Sequence, residues 1–365
     1  MSREHGTLMD RLVPLLAASS VPERREGFDR LPKLARAADA LRADRVRRGL
    51  PAPSTLFVSV TTRCPFTCSH CSSAAYPAGV DLPTWRMERL LREATDLGIF
   101  FVGVTGGEPL LHPDLLEVLA RHDRCLYLLF TSGAAVDERA AVRLARMPHV
   151  LPFLGVEGGA EVNDRLRGKG ATQASQEAMT LLERYGVPFG FSATARSENL
   201  GELLGTEFYL DLASRGVRFG IVLEALPVGR AEATCRPLGT QERQALARHL
   251  GVLRGETGAF LALLPWDERS EGGCQAGTDL LHVNALGQVE PCPFLRVAPS
   301  ASALPLEEAL GSDLFRALRA AAGTPDSSCR VPCWFLENRG LLDGIVDVCG
   351  ARRTVGCAGQ ETRSA

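Results

Sequence analysis

Cys64, Cys68 and Cys71 fall in one short run, Cys64-Pro-Phe-Thr-Cys68-Ser-His-Cys71, directly after the apolar segment Leu56-Phe-Val-Ser-Val60. Three thiolates on one loop can hold three irons of a four-iron cluster and leave the fourth iron without a protein ligand. An open iron can bind a second molecule and do redox chemistry on it, whereas a cluster that only carries electrons or braces a fold is normally closed by a fourth cysteine. The competing reading is a zinc loop. Zinc favours C-x2-C pairs with a second pair far downstream, and C-x3-C-x2-C fits that poorly.

A second constellation follows the next apolar run, where Phe100-Phe-Val-Gly-Val-Thr105 leads into Gly106-Gly107-Glu108-Pro109. Two glycines let a ligand approach the main chain closely, and a carboxylate pairs with an ammonium group. Alone the tetrapeptide would be a turn. Two such motifs in this order, each ending a strand, form a joint signal. Thr131 and Ser132 close the third apolar run before Gly133, where a hydroxyl could meet a ribose or cap a turn.

The elements that must position these residues are periodic. Between residue 56 and about 255, strand-like runs alternate with amphipathic stretches. Leu56–Val60 precedes Pro83–Leu97, Phe100–Thr105 precedes Pro113–Arg121, and Cys125–Thr131 precedes Asp137–Arg146. Val150–Val156, Pro188–Thr194 and Val217–Leu226 repeat the rhythm, with helices over Thr172–Tyr185, Leu200–Ser214 and Thr240–Leu253. Six strand-helix units in succession demand parallel strands in an α/β sheet covered on both faces. The expected architecture is a partial (β/α)6 TIM-like barrel over 56–255, and catalytic groups of such sheets gather at the C-terminal ends of the strands. Residues 1–55 read as an N-terminal helical segment, because Leu31, Leu34, Ala35, Ala38 and Leu41 recur at helical spacing. Residues 256–365 read as a small α+β extension. It contains six of the eleven cysteines, a hairpin over Leu280–Asn284 and Val289–Cys292 with Gly287 at the turn, and a helix near Leu306–Ala322.

With 365 residues the chain has room for a barrel of roughly 200 to 250 residues plus an appendage. A hydrophobic content of 45% and a charged content of 23% are those of an ordinary globular protein. The net charge of −2, without blocks of one sign, argues against nucleic acid and anionic membrane as partners. No apolar run approaches the eighteen or so residues of a membrane span. The first residues make a poor export signal, so eleven cysteines point to metal in a reducing cytoplasm rather than to disulfides.

The cysteine spacing, with His70 in the slot of an aromatic residue, resembles the C-x3-C-x-aromatic-C loop of the radical S-adenosylmethionine (radical SAM) superfamily. Gly106-Gly107-Glu108-Pro109 resembles that superfamily's GGEP segment, which holds the amino group of the methionine moiety. Phe153-Leu-Gly-Val-Glu157 and Asn163-Asp-Arg-Leu-Arg167-Gly resemble a strand whose serine touches the nucleoside and a stretch whose arginine binds the methionine carboxylate. Arg167 matches the arginine. Gly155 stands where the serine should be, and Glu157 or Ser132 is expected to replace it. Cys274, Gly287 and Cys292 resemble the opening of the SPASM extension, or of its shorter twitch form, which carries auxiliary iron-sulfur clusters. The remaining spacing of Cys329, Cys333, Cys349 and Cys357 departs from that pattern. Two fully ligated clusters need eight thiolates and six are available, so the resemblance implies one auxiliary cluster held by Cys274, Cys292, Cys333 and one of Cys329, Cys349 or Cys357. Two incompletely ligated clusters, or a structural zinc, are the alternatives.

The implied activity is reductive cleavage of S-adenosylmethionine to a 5′-deoxyadenosyl radical that takes hydrogen from a peptide or protein side chain, or from a small natural product. A reducing partner such as flavodoxin or ferredoxin supplies the electron, and an auxiliary cluster makes the net reaction an oxidation. Cys235, after the sixth strand, could face the chamber and donate a hydrogen atom, as in radical SAM epimerases of sugars or peptides. Cys125, at the start of the third strand, reads as an inert core thiol. A non-catalytic electron-transfer protein and a zinc-braced protein are the remaining classes.

Overall fold

The computed structural model describes residues 22–257, 260–264, 273–301, 303–323 and 332–355. Its first element is helix α1 (Pro22–Arg47). Strand-helix units follow, with β1 (Thr55–Ser59), α2 (Thr84–Leu97), β2 (Phe101–Thr105), α3 (Leu115–Arg121), β3 (Leu126–Thr131) and α4 (Glu138–Ala145). The second half contains β4 (Val150–Gly155), α5 (Ala160–Arg167), α6 (Ala171–Arg184), β5 (Gly190–Ala195), α7 (Thr206–Ser214), β6 (Phe219–Glu224), α8 (Thr240–Thr257) and β7 (Phe260–Leu264). The remainder comprises β8 (Leu280–Val283), β9 (Val289–Glu290), β10 (Val297–Ala298), α9 (Asp313–Ala321), α10 (Arg339–Val348) and β11 (Arg352–Arg353).

The strands form one sheet in the order β7-β6-β5-β4-β3-β2-β1-β8-β9, parallel from β7 to β8, while β9 runs antiparallel to β8. This is the open α/β barrel that the alternation of the sequence dictates. Its two faces are built from opposite residues of each strand, as a pleat requires. Leu56, Val102, Leu129, Leu154 and Val222 pack outward against α2, α3, α4 and α6. Phe101, Leu126, Phe153, Phe219 and Ile221 face the other way and join Phe28, Leu31, Ala35 and Ala38 of α1 in a second core. Most of these inward residues lie where strands begin, so α1 closes the N-terminal end of the barrel and leaves the C-terminal ends for chemistry. Phe130 stacks on Phe57 and Phe153, with ring centroids 6.0 and 5.3 Å away, which floors the chamber above them.

The sheet does not stop at residue 255. β7 extends it beyond β6, and β8, the first strand of the cysteine-bearing hairpin, pairs with β1 in register Thr55↔Leu280. An uncovered β1 would leave a row of backbone groups unpaired. The hairpin covers them, and the Asp279 carboxylate locks the junction by accepting the Ser54 N–H at 3.0 Å and its hydroxyl at 2.7 Å. Two expected helices are interrupted. Leu200–Ser214 breaks at Leu204-Gly205, and Leu306–Ala322 breaks at Gly311-Ser312, where Ser312 accepts the Phe315 N–H to start α9.

Glu224 ends β6 on the outward side and receives Arg243 of α8, whose Nε lies 2.8 Å from both carboxylate oxygens. Both side chains are 1% exposed. Removing one partner of such a pair strands the other charge in the core, at a cost of about 3–5 kcal/mol. Arg243→Ala should therefore lower the thermal midpoint sharply, and the apolar double replacement Glu224→Leu/Arg243→Met should recover most of the loss. Equal midpoints for Arg243→Ala and the parent chain would refute the assignment.

Candidate active site

The cysteine loop leaves the end of β1 and is clamped from three sides. The Thr61 hydroxyl donates to Asp81 at 2.6 Å, and Arg63 donates to the same carboxylate at 2.8 and 3.0 Å. Ser69 N–H donates to the Leu166 carbonyl at 2.8 Å, while Arg196, just past β5, reaches the Ser69 hydroxyl at 2.9 Å. Past β6, Arg230 donates its N–H to the Cys71 carbonyl at 3.0 Å and its guanidinium to the Cys68 carbonyl at 2.8 Å. Gly229 (φ 61°) permits the approach to Cys71, since a Cβ there would lie 2.5 Å from the Cys71 oxygen.

The thiols themselves are close. Desolvation of the sulfur, and beyond it the negative Cys68, Glu108 and Cys71 nearby, push the Cys64 thiol up to about 11, although the residue as a whole is exposed. Burial also raises Cys68, against the pull of Arg167. Thiols that disfavour one another's ionisation are relieved by a bound cation, so the loop fits an iron cluster. Among the described residues no three His, Cys, Asp or Glu side chains converge on a single-ion site. A cubane spreads its thiolates more widely than one zinc ion does, and the open loop suits the larger group.

Gly106 and Gly107 bring the continuation of β2 against the lead into this loop. Gly107 N–H donates to the Thr61 carbonyl at 2.6 Å, and Glu108 N–H donates to the Arg63 carbonyl at 2.7 Å. A Cβ would lie 2.3 Å from the Thr61 oxygen at position 106 and 2.2 Å from the Arg63 oxygen at position 107. The close approach that the two glycines permit here is thus that of the chain's own backbone. Pro109 starts a short 3-10 turn, and Glu108 points into the protein. Its carboxylate accepts the Thr131 hydroxyl at 2.7 Å, the Ser132 N–H at 2.8 Å and the Ser132 hydroxyl at 2.5 Å. Both hydroxyls, one of which was expected to meet a ribose or cap a turn, thus donate to Glu108.

Glu157, Arg167 and His70 form a third knot. The buried Glu157 carboxylate accepts the Thr194 N–H at 2.6 Å and Arg167 at 2.7 Å, and lies 3.1 Å from His70 Nε2. Although burial opposes ionisation, His70, then Arg167 and the Thr194 N–H, hold the carboxyl down to about 2. Arg167 lies flat against Gly155. A Cβ at Gly155 would meet both terminal nitrogens of Arg167 at 2.2 Å. Glycine here is the condition for seating that guanidinium, which explains why the expected serine is missing. His70 Nδ1 and Arg167 Nε are buried without a protein partner, as groups beside a ligand site would be.

In the extension, Cys274 donates its N–H to the Gly323 carbonyl at 3.3 Å, and Trp334, next to Cys333, donates to the Ala321 carbonyl at 2.9 Å. Both residues thus border the end of α9. Burial, and then the neighbouring Cys333 and Cys274, push the buried Cys292 thiol well up. Cys349 ends α10, packed on the core, and Cys329 and Cys357 lie outside the described residues. Cys235 is half-buried, raised by burial against the pull of Arg196. It adjoins Thr234, whose hydroxyl lies 3.2 Å from the Ser69 carbonyl, so it stands at the barrel end that carries the cysteine loop. Cys125 is buried and bonded to the Ile99 carbonyl, as a core thiol.

The sequence reading missed Arg196, Arg230 and a buried knot around Glu290. The signal for Glu290 was present, because a carboxylate inside Leu280–Cys292 is unusual in an apolar hairpin.

Comparison with known proteins places this geometry. The Radical SAM superfamily model matches residues 58–209. The PqqA peptide cyclase of Gluconobacter oxydans is 30% identical over 283 residues, which cover 71% of this chain and 72% of that protein. The chain belongs to the radical SAM superfamily. The mycofactocin maturase MftC of Mycobacterium tuberculosis is 28% identical over 267 residues, 69% of this chain and 67% of that one. Among solved structures, Streptococcus suis SuiB bound to its precursor peptide SuiA superposes with a TM-score of 0.65 at 17% identity, over 84% of this chain and 73% of that chain. AnSMEcpe with AdoMet and the Cp18Cys peptide gives 0.58 at 15% identity, over 82% and 99%. These structures share the fold. As a member, the chain is an enzyme, with the four-iron cluster and S-adenosylmethionine of the superfamily as its cofactors.

Gly155 then gives a test. Gly155→Ser introduces the serine that the sequence resemblance implied but drives its Cβ into Arg167. Losing a charge-assisted hydrogen bond costs about 1.5–3 kcal/mol, so S-adenosylmethionine affinity measured by equilibrium dialysis should fall by about ten- to a hundredfold. Unchanged affinity would mean that Arg167 does not hold the cofactor.

Proposed function

We propose that this radical SAM enzyme is a peptide maturase that takes hydrogen from a side chain of a peptide or protein substrate. The observation that carries the reading is the likeness to PqqA peptide cyclase and MftC over some seven-tenths of the chain, together with a second group of thiols at Cys274, Cys292 and Cys333. When bound, the cluster and S-adenosylmethionine supply one-electron cleavage of the sulfonium and a 5′-deoxyadenosyl radical, with the electron delivered by flavodoxin or ferredoxin. The chain's own residues orient. Cys64, Cys68 and Cys71 hold the barrel cluster, the backbone at Gly106–Pro109 with Glu108 receives the methionine amino group, and Arg167, seated by Gly155 and Glu157, receives its carboxylate. Phe57, Phe130 and Phe153 exclude water below.

The extension is read as the seat of one auxiliary cluster, which Cys274, Cys292, Cys333 and one of Cys329, Cys349 or Cys357 would hold and which would supply an electron acceptor for a net oxidation. A second reading uses Cys235 as hydrogen donor in a redox-neutral epimerisation, favoured by its position beside the cysteine loop. The experiment is anaerobic reconstitution, reduction, and mass spectrometry of candidate peptides. Net oxidation appears as the loss of two hydrogens from the product. In that case Cys292→Ala should continue to release 5′-deoxyadenosine but form no product. Epimerisation leaves the mass unchanged and introduces solvent deuterium, and Cys235→Ala should then stall product alone. Full product from a folded Cys292→Ala variant that lacks the auxiliary iron rules out the oxidative route, and colourless protein containing zinc but no iron rules out both.

A further inference from the structure

Glu290 of β9 is wholly buried, two residues before Cys292, and four side chains from three separate segments donate to its carboxylate. Tyr76, five residues past Cys71, points its hydroxyl at both oxygens, at 2.7 and 2.9 Å. His282 of β8 faces it through Nδ1 at 2.6 Å, Asn284 of the hairpin turn donates at 3.0 Å, and the Thr354 hydroxyl beyond β11 also donates.

Two arms run from this hub to the barrel site. In one, His282 Nε2 lies 2.9 Å from the Ser59 hydroxyl of β1, which lies 3.2 Å from the Thr105 hydroxyl, and Thr105 immediately precedes Gly106. In the other, Arg296 packs 4.4 Å from the Tyr76 ring centroid, bonds its hydroxyl, and donates to the Ser72 carbonyl at 2.8 Å, one residue past Cys71. The hub thus touches the lead into Cys292 on one side and the flanks of both barrel motifs on the other. Every side chain in it is buried or nearly so, Arg296 Nε is buried there without a protein partner, and the bonds of a buried network polarise one another, so its members are energetically coupled.

We propose that Glu290 is a positioning residue that couples the extension's cysteine site to the S-adenosylmethionine site, so that filling Cys274, Cys292 and Cys333 tightens the cofactor in the barrel. This rests on the radical SAM reading of the barrel. The coupling is reciprocal, because it is a difference in binding free energy shared by two sites. Glu290→Gln is the direct probe, since it keeps the shape but turns an amide NH2 toward a shell of donors. Tyr76→Phe cuts only the arm nearest the cysteine loop.

The test is a double-mutant cycle read by equilibrium binding of S-adenosylmethionine to oxidised protein, without reductant and without turnover. Vacating the extension with Cys274→Ala/Cys292→Ala in the parent chain should weaken binding about fivefold or more, the lower end of measured allosteric couplings. In a Glu290→Gln background the same pair of changes should alter affinity less than about twofold, and in a Tyr76→Phe background, which keeps the Ser59–Thr105 arm, by clearly less than in the parent. A merely structural role for Glu290 would weaken binding equally in both backgrounds and leave the ratio unchanged. That result, or a parent ratio near one, overturns the proposal. If Glu290→Gln does not fold, Tyr76→Phe decides alone. Absence of S-adenosylmethionine binding by the parent chain would instead sink the radical SAM assignment of the barrel.

Discussion

Anaerobically reconstituted protein in which Cys64, Cys68 and Cys71 are all replaced by alanine is expected to lose S-adenosylmethionine cleavage altogether while keeping the iron of the extension. With one auxiliary cluster, iron should fall from about eight to about four atoms per chain. The effect should be all-or-none because these three thiolates would hold the cluster that supplies the electron for cofactor cleavage. Folding should survive. The loop is anchored through its backbone and its neighbours, by Ser69 on Leu166, Arg230 on the carbonyls of Cys68 and Cys71, and Arg63 on Asp81, none of which needs a thiol. Iron analysis, the visible spectrum and 5′-deoxyadenosine release measure the three consequences separately. Retained cleavage by the triple variant would place the chemistry elsewhere.

How far the sequence led depended on whether a feature was local. The cysteine loop and Gly106-Gly107-Glu108-Pro109 were legible because their residues are adjacent, and each follows an apolar run long enough to be a strand. The alternation gave the strands of the barrel to within two residues at either end, since periodic burial is written along the chain. What escaped notice joins distant positions. Nothing local in Leu280–Val283 shows that it pairs with β1 rather than only with its own hairpin, and Ser54 meets Asp279 across 225 positions. Gly155 looked like a missing ligand contact. Its function is visible only with Arg167 folded over it, because a glycine's role lies in what fills the space its side chain would take. Glu157 shows the same limit from the other side. As a residue at the catalytic end of a strand it was marked as a ligand group, and the structure shows it gathering His70, Arg167 and the Thr194 N–H, which is how it shapes the site.

Gly107→Ala and Glu108→Ala should both weaken S-adenosylmethionine binding, for different reasons. At Gly107 the obstacle is backbone: a methyl group would lie 2.2 Å from the Arg63 carbonyl, and no side chain can rotate aside to admit it. The continuation of β2 must then separate from Thr61–Arg63 and break the 2.6 and 2.7 Å hydrogen bonds that set the spacing of the two motifs. Overpacking of this kind costs about 1–3 kcal/mol, so Gly107→Ala should lower the thermal midpoint and weaken cofactor binding by tenfold or more. Glu108→Ala leaves the backbone bond from Glu108 N–H to the Arg63 carbonyl in place. It leaves the Ser132 N–H and the hydroxyls of Thr131 and Ser132 buried without their acceptor, at about 1–3 kcal/mol for each group left unsatisfied. The end of β3 loosens, and the acid proposed to receive the methionine amino group is gone. Glu108→Gln separates these two losses in part, because its amide oxygen can still accept the Ser132 N–H and hydroxyl, its NH2 can donate to the Thr131 hydroxyl in place of the bond that hydroxyl gave, and it carries no charge for an ammonium. It should therefore lower the thermal midpoint less than Glu108→Ala does and yet bind the cofactor at least tenfold more weakly than the parent. All three variants should retain the barrel iron, since neither position supplies a thiolate. Binding by equilibrium dialysis, with iron counted in the same samples, gives the comparison. Parent-like affinity in Glu108→Gln would show that this carboxylate braces β3 and does not touch the cofactor.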